Sequence, residues 1–247
     1  QEYIMRPLLL SGCKFDLRMY LCVVRASPLL VYYRNGYVRR SVYSYDAQDS
    51  NLYVHLTNAA MQKKAPRYAE EMENSIWRLQ QMEECLVEQG HVAHGWVDSK
   101  LVPDIMSMVT EVLQGCKHEI KPFYGSFNLI GFDVMLDDEL NPYLIEFNMN
   151  PALATSTSVL KAVIPQVVQE SLDLVLWAHG VPATPGPRGI AQLSSDVEYC
   201  SKPSTLPFPN GQFKLLIDDA RGYVWSRSEG KERSSSPRDP CLSPRII

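Results

Sequence analysis

The stretch from Phe127 to Leu153 constrains this chain most. It reads as two short strands around a polar turn, Asp138-Glu139-Leu140-Asn141. A four-residue loop there pairs Asp137 with Pro142 and sets Asp133 opposite Glu146. Side chains directly opposed across an antiparallel pair sit about 5 Å apart, and like charges at that distance repel. Asn148, two residues past Glu146, shares its face. The other face then turns Tyr143, Ile145 and Phe147 toward a core. Two carboxylates and an amide oxygen converging at the end of a hairpin make a hard, oxygen-only site. Mg²⁺ suits such a site, usually held by one or two carboxylates plus substrate phosphates. The same alternation also describes a sheet with one solvated face, and spacing alone does not separate the two.

The 247 residues allow one or two domains, and 45% hydrophobic residues allow a sizeable core. Gln1-Glu2-Tyr3-Ile4 reads like the middle of a strand, so the chain is expected to be a fragment. No apolar stretch has membrane-spanning length. Six cysteines, Cys13, Cys22, Cys85, Cys116, Cys200 and Cys241, form no CxxC pair. That usage points to reduced thiols in the cytoplasm. The net charge of −4 hides a division. Residues 1–68 carry ten Lys/Arg against four Asp/Glu, while residues 101–179 carry three against ten. The basic part suits phosphates or an acidic polymer and the acidic part suits a cation, although either balance also describes a solvated face.

Residues 14–20 alternate strictly: Lys14, Asp16 and Arg18 on one face, Phe15, Leu17 and Met19 on the other. Leu29 to Tyr33 is a second apolar run. Asn35-Gly36 follows, the strongest short hairpin signal, and Tyr37 to Tyr45 returns. A helix is expected from just past Pro66 to Gly90, carrying Met72, Ile76, Leu79, Met82 and Leu86, and a second from Pro103. Ser156 or Thr157 caps a third, which Pro165 should kink or interrupt and Gly180 should end. From Val181 onward Pro, Ser and Gly dominate, so 181–247 reads as a mostly disordered tail with one small local element at Phe213–Trp225.

Lys14, Asp16 and Arg18 could hold nucleotide phosphates and ribose hydroxyls, or simply form a salt-bridged strand face. Arg39 and Arg40 go to opposite faces, one toward an anionic substrate or both to solvent. His55-Leu56-Thr57-Asn58 supplies imidazole, hydroxyl and amide, or a helix cap. There is no Walker A motif, no GxGxxG and no GxSxG, so a P-loop kinase, a dinucleotide dehydrogenase and an α/β-hydrolase are poorly supported.

Taken in order, these blocks resemble the tubulin–tyrosine-ligase-like family of amino-acid ligases. The resemblance rests on Gln1-Glu2-Tyr3-Ile4 with Arg6-Pro7, Lys14-Phe15-Asp16-Leu17-Arg18, and Gly36-Tyr37-Val38-Arg39. His55-Leu56-Thr57-Asn58 with Gln62-Lys63, Gly131-Phe132-Asp133, and Glu146-Phe147-Asn148-Met149-Asn150-Pro151 complete it. It covers about residues 1–180 and implies an α+β, ATP-grasp-like fold. That fold is mainly antiparallel sheet with packed helices, and its N-terminal lobe is expected to be missing from this chain. By the resemblance, Gln1, Tyr3 and Ile4 lie at the adenine, Lys14, Asp16, Thr57 and Asn58 contact ATP, and Asp133, Glu146 and Asn148 hold Mg²⁺. Arg18 and Arg39 face phosphate and the acidic substrate, and Lys161 contacts the incoming amino acid. Glu2 stands where many relatives have Lys or another residue, and Met149-Asn150-Pro151-Ala152 replaces a more usual ending with Ser-Pro-Ser.

The implied reaction is ATP-dependent isopeptide formation on a glutamate side chain through an acyl phosphate. Met149 beside the metal-site Asn148 offers no donor for a second carboxylate, which fits the glycine-adding branch of the family. The expected partners are free glycine and an acidic acceptor such as tubulin C-terminal tails. No nucleic-acid polymer and no membrane are expected, and the chain is expected to be a monomer. The place implied is the cytoplasmic cytoskeleton, including the cilium. The competing classes are an inactive member that binds microtubules or a partner, and a glutamate-adding ligase.

Overall fold

The alternating pattern at residues 14–20 belongs to a strand much longer than the pattern itself. β1 (Leu9–Leu10) leads into β2 (Cys13–Ala26), which pairs antiparallel along nearly its full length with β3 (Leu29–Ser44). The computed structural model describes residues 1–121, 127–179 and 211–227. Three single-turn helices follow, α1 (Leu52–His55), α2 (Ala59–Gln62) and α3 (Tyr68–Glu71). Then come β4 (Ile76–Trp77), α4 (Leu79–Glu88) and α5 (Val102–Cys116). The hairpin β5 (Asn128–Leu136) and β6 (Pro142–Asn148) precedes α6 (Ser158–Ala178). β7 (Lys214–Asp218) and β8 (Tyr223–Val224) complete the described part. All pairings are antiparallel, in the order β6-β5-β2-β3-β7-β8, with β1 added to β2 and β4 to β3. The expected α+β class with a mainly antiparallel sheet holds.

The sheet lies between two helical layers. Phe15, Leu17, Met19 and Leu21 bury one face against Met82 and Leu86 of α4 and Ile105 and Val109 of α5. On the other face, Tyr20 packs under Val159, Leu160 and Ile164 of α6, and Cys22 and Tyr32 under Leu174. Lys14, Asp16 and Arg18 continue this second face past the start of α6. The site thus begins where the helix stops covering the sheet.

Asn35-Gly36 is not the hairpin turn that its composition predicts. β3 runs straight through it, and the β2–β3 turn lies at Ser27–Pro28. Arg18 pairs with Tyr37 and Tyr20 with Arg34, so Asn35 and Gly36 together oppose Met19 in a β-bulge. Only glycine fits, because a Cβ on Gly36 would lie 2.0 Å from the Arg18 carbonyl oxygen. The extra residue reverses the alternation of everything after it. Arg34 and Arg39 therefore emerge on the same face, although their spacing is odd.

A second bulge corrects the β5–β6 hairpin. Asp133 does pair with Glu146 and Gly131 with Asn148, but Val134 pairs with Leu144 and Leu136 with Pro142. The loop has five residues rather than four, and Asp137 organises it by accepting from the Glu139 and Asn141 amides at 3.0 and 2.8 Å. Ile145 is the bulged residue. Leu144 and Phe147 consequently face the core, where Tyr143 and Ile145 had been expected, and Tyr143 instead donates its hydroxyl to Asp137.

Three further expectations change. The helix from Pro66 to Gly90 is broken: Ile76 and Trp77 leave it to pair with Arg39 and Val38, and α4 starts afresh where Gln81 accepts from the Arg78 amide. Ile76 fitted the helical spacing, yet it buries beside α6 while Leu79, Met82 and Leu86 bury on the opposite layer. Gly90, at φ 77°, ends α4 as expected. Thr157 caps α6 by accepting from the Leu160 amide at 3.2 Å, and α6 continues through Pro165. Pro165 is exposed, so water can satisfy the carbonyl that loses its donor. Gly180 lies outside the described residues.

Finally, Phe213–Trp225 is no separate element. β7 pairs with β3, and Phe213, Leu216 and Ile217 are buried in the shared cores. Arg34, 1% exposed, ties this ribbon to α6 through an ion pair with Glu170 at 3.0 Å and hydrogen bonds to Gln166 and Gln212. Among the described residues no helix is long and apolar enough to cross a membrane.

Candidate active site

The bulge in β3, the strict alternation of β2 and the unbroken β2–β5 register bring Asp16, Arg18, Arg39 and Asp133 together on one sheet face. Arg39 donates Nε and Nη2 to Asp16 at 2.6 and 2.7 Å, and Nη2 also reaches Asp133 Oδ2 at 2.7 Å. Arg18 forks onto Asp133 with Nε–Oδ1 2.6 Å and Nη2–Oδ2 3.2 Å. Thr57 donates its hydroxyl to Asp16 Oδ2 at 2.5 Å. All five side chains are buried. Burial opposes the charge on Asp133, but Arg18 and Arg39 more than offset it and hold the carboxyl below its usual range. Burial likewise opposes the Arg39 charge, and Asp16 followed by Asp133 raises its pKa instead. A network this complete is costly to break, because removing one partner strands a buried charge, at about 3–5 kcal/mol.

In front of the network lies a cleft of about 370 Å³. Arg18, Arg39, Asn58, Glu146 and Asn148 line it, so it unites residues from β2, β3, the α1–α2 loop and β6. Pro151 and Ala152 close one side, and Gly131 must stay small, since a Cβ there would meet Pro151 Cβ at 2.9 Å. Glu146 is exposed and accepts from Asn148 Nδ2 at 2.9 Å. Asn58 also caps α2, accepting from the Met61 amide at 2.9 Å, so both readings of that residue hold.

The oxygen-only set of Glu146 and Asn148 fits a hard divalent cation in donor chemistry. Asp133 contributes less than its spacing predicts. Three hydrogen bonds from guanidinium groups fill three of its roughly four lone-pair directions. Among the described residues no group of three His, Cys, Asp or Glu could hold a metal.

Lys14, Tyr3 and His55 form a neighbouring cluster rather than part of the cleft wall. Lys14 Nζ donates to the Tyr3 hydroxyl at 2.9 Å and lies 4.1 Å from the centre of its ring. The Tyr3 hydroxyl also meets His55 Nδ1 at 2.6 Å. Burial lowers the Lys14 pKa to about 8, with Asp16 opposing. Gln1 donates to the Ile145 carbonyl at the bulge, at 2.9 Å, and Ile4 is half-buried beside this stretch.

Two predicted substrate residues stand apart from the cleft lining. Met149 is 54% exposed, and Asn150, Pro151 and Ala152 line the cleft beyond Asn148 instead. Lys161 is exposed on the first turn of α6, near Glu73, which accepts from the Ser158 amide and hydroxyl. Two residues were undervalued in the sequence. Gln62, 1% exposed, locks the Thr57–Asn58 loop to β3 by accepting from the Val42 amide and donating to the Tyr53 and Leu56 carbonyls. Lys63 lines the cleft. Both belong to the basic stretch after Asn58 and to a block that carries the family resemblance, but neither was assigned a role.

Comparison with known proteins places this geometry in context. Residues 1–184 match the model of the tubulin-tyrosine ligase family. The chain is 38% identical over 180 residues to Protein polyglycylase TTLL10 of Macaca fascicularis, covering 71% of this chain and 29% of that protein. It is also 38% identical to Inactive polyglycylase TTLL10 of Homo sapiens, over 71% of this chain and 27% of the relative. Tubulin monoglycylase TTLL3 of Danio rerio is 34% identical over 184 residues, which cover 71% of this chain and 23% of the relative. The matched part thus spans less than a third of the length of these relatives.

Proposed function

The chain belongs to the tubulin-tyrosine ligase family, whose fold is ATP-grasp-like, and from that premise we propose that it forms part of an ATP- and Mg²⁺-dependent ligase. The ligase adds glycine to glutamate side chains of tubulin or another acidic protein. The observation that carries this reading is the convergence of Arg18, Arg39, Asn58, Glu146 and Asn148 on one cleft from four parts of the chain. Glycine as the added amino acid draws its support from relatives named polyglycylase and monoglycylase. The exposed Met149 adds none.

An oxygen of the acceptor carboxylate attacks the γ-phosphorus of ATP, and the bond to ADP breaks. The glycine nitrogen then attacks the acyl carbon, inorganic phosphate leaves, and the nitrogen loses a proton. Arg18 and Arg39, clamped by Asp16 and Asp133, present fixed donors where charge develops, so no reorganisation is needed during the transfer. Lys14, with Tyr3, Gln1 and Ile4 beside it and Asp16 and Thr57 behind it, would hold the nucleotide, and Asn58 would complete that wall. Glu146 and Asn148, with Asp133 behind them, would hold Mg²⁺, which offsets phosphoryl charge when bound. The proposed place of action is the cytoplasmic cytoskeleton, cilium included.

The test is a competition between labelled glycine and labelled glutamate on a glutamate-rich peptide, using the full-length protein with ATP and Mg²⁺. Glycine should be incorporated preferentially. Glu146→Gln should abolish incorporation with an unchanged melting temperature, because the side chain is exposed and its only hydrogen-bond partner among the described residues is Asn148. Preferential glutamate incorporation would move the protein to the glutamate-adding branch. One observation favours a second reading, an inactive binding module: both cleft arginines already spend their Nε and Nη2 donors on aspartates. Peptide binding without any ATP-dependent incorporation would select it.

A further inference from the structure

The basic balance of residues 1–68 looks like a diffuse attraction for anions, but the fold uses most of it internally. Of the ten Lys and Arg there, Arg18 and Arg39 serve Asp133 and Asp16, and Arg34 serves Glu170. Arg6 reaches Asp138 and Glu139. Lys14 is buried against Tyr3, and Arg40 donates to the Leu10 carbonyl beneath the Trp77 ring. The two guanidinium groups in the cleft wall are matched by two carboxylates, so they add no net charge to it.

Arg25 donates to the Pro28 carbonyl at 2.9 Å, at the β2–β3 turn. What remains is compact. Lys63 and Lys64 are exposed and make no ion pair among the described residues. Arg67, exposed three residues on, stacks over Tyr43 at 5.7 Å and approaches Glu71 only at 4.0 Å. Tyr43 in turn stacks on Tyr53, whose hydroxyl donates to the Lys64 carbonyl, so the rim is braced from beneath. Lys63 lines the cleft, and Lys64 and Arg67 lie outside its lining between Lys63 and Tyr68, which lines it again.

We propose that Lys63, Lys64 and Arg67 form a docking rim for an acidic peptide, the run of acceptor chain flanking the glutamate that enters the cleft. This rests on the ligase reading for the identity of the acceptor. The rim sets affinity for the acceptor, and affinity for the nucleotide stays with the buried residues. Three exposed cations spread along five residues match a row of carboxylates on a flexible chain. A compact triphosphate calls for convergent, buried donors, which the rim does not provide. Exposed charges of this kind act over about 10 Å at 0.1 M salt and weaken as salt rises.

The experiment measures binding without turnover. A fluorescein-labelled glutamate-rich peptide is titrated with the full-length protein, and ATP binding is measured in parallel. Lys63→Gln should raise the peptide Kd about threefold, and Lys63→Gln combined with Lys64→Gln about tenfold. Lys63→Arg should bind as the wild type does, the Kd for ATP should not move, and both glutamine variants should show a weaker salt dependence. An unchanged peptide Kd would overturn the proposal, as would an equal loss of ATP binding. Tighter binding of a single-stranded oligonucleotide than of the peptide would also overturn it. A protein that binds the peptide in this manner yet ligates nothing would remove the ligase reading and leave the rim standing.

Discussion

Lys14 should make the protein less stable at neutral pH than its own replacement by methionine. The residue is 2% exposed and forms no ion pair among the described residues; its Nζ has the Tyr3 hydroxyl and ring close by and the Tyr45 ring at 5.8 Å. Burial lowers its pKa from 10.5 to about 8. A lysine whose folded pKa lies below its unfolded value penalises folding at low pH, and the penalty fades as pH rises from the folded value toward the unfolded one. The shift corresponds to about 3 kcal/mol at pH 7, of which about 2 kcal/mol is relieved by about pH 9.5. Lys14→Met keeps an unbranched apolar stem and discards the charge. It also loses the hydrogen bond to Tyr3, worth about 1 kcal/mol, and a cation–π contact of about 1 kcal/mol. The variant should therefore be about 1 kcal/mol more stable than wild type at pH 7 and about 1 kcal/mol less stable at about pH 9.5. Urea unfolding of both proteins at the two pH values measures the swing. A stability difference that stays the same at both would refute the buried, uncompensated charge. ATP binding by the variant as tight as wild type would remove Lys14 from the proposed nucleotide pocket.

Two glycines separate backbone clash from backbone strain. Gly36→Ala should cost about 3 kcal/mol or more, because its Cβ would strike the Arg18 carbonyl at 2.0 Å. Gly12→Ala, at φ 77° with open space around it, should cost about 1 kcal/mol, and chemical denaturation would rank the two. Deleting 211–227 should collapse stability rather than trim a tail. Phe213, Leu216 and Ile217 are at most 2% exposed, and each such side chain contributes about 1.5–3 kcal/mol. A melting temperature unchanged by that deletion would show that the ribbon does not belong to this core.

Much of the fold was legible because its signals are local. The alternation of residues 14–19 set both faces of β2, the polar run after Leu136 set a turn, and Thr157 and Gly90 marked helix ends. The pairing of Asp133 with Glu146 was legible for the same reason. Nothing local distinguished Asn35-Gly36 as a bulge from a turn, since the same dipeptide permits both and only the length of β2 alongside decides. Ile76 and the strand at Lys214–Asp218 were decided by partners far off in the chain, and Ile145 by a hairpin loop one residue longer than expected.

The residue types at the site, their order and the face that each β2 residue takes were thus determined by sequence alone, because strand alternation needs no tertiary information. The tertiary structure decided which of them meet. A bulge adding one residue to β3 placed Arg39 beside Asp16, and another in β6 turned Leu144 rather than Tyr143 and Ile145 to the core while leaving Glu146 opposite Asp133. It also decided which cations remain available. Charge counts along a chain treat every lysine and arginine alike, whereas a buried guanidinium must be paired, so the fold matched Arg18, Arg34 and Arg39 with carboxylates and left Lys63 facing the cleft.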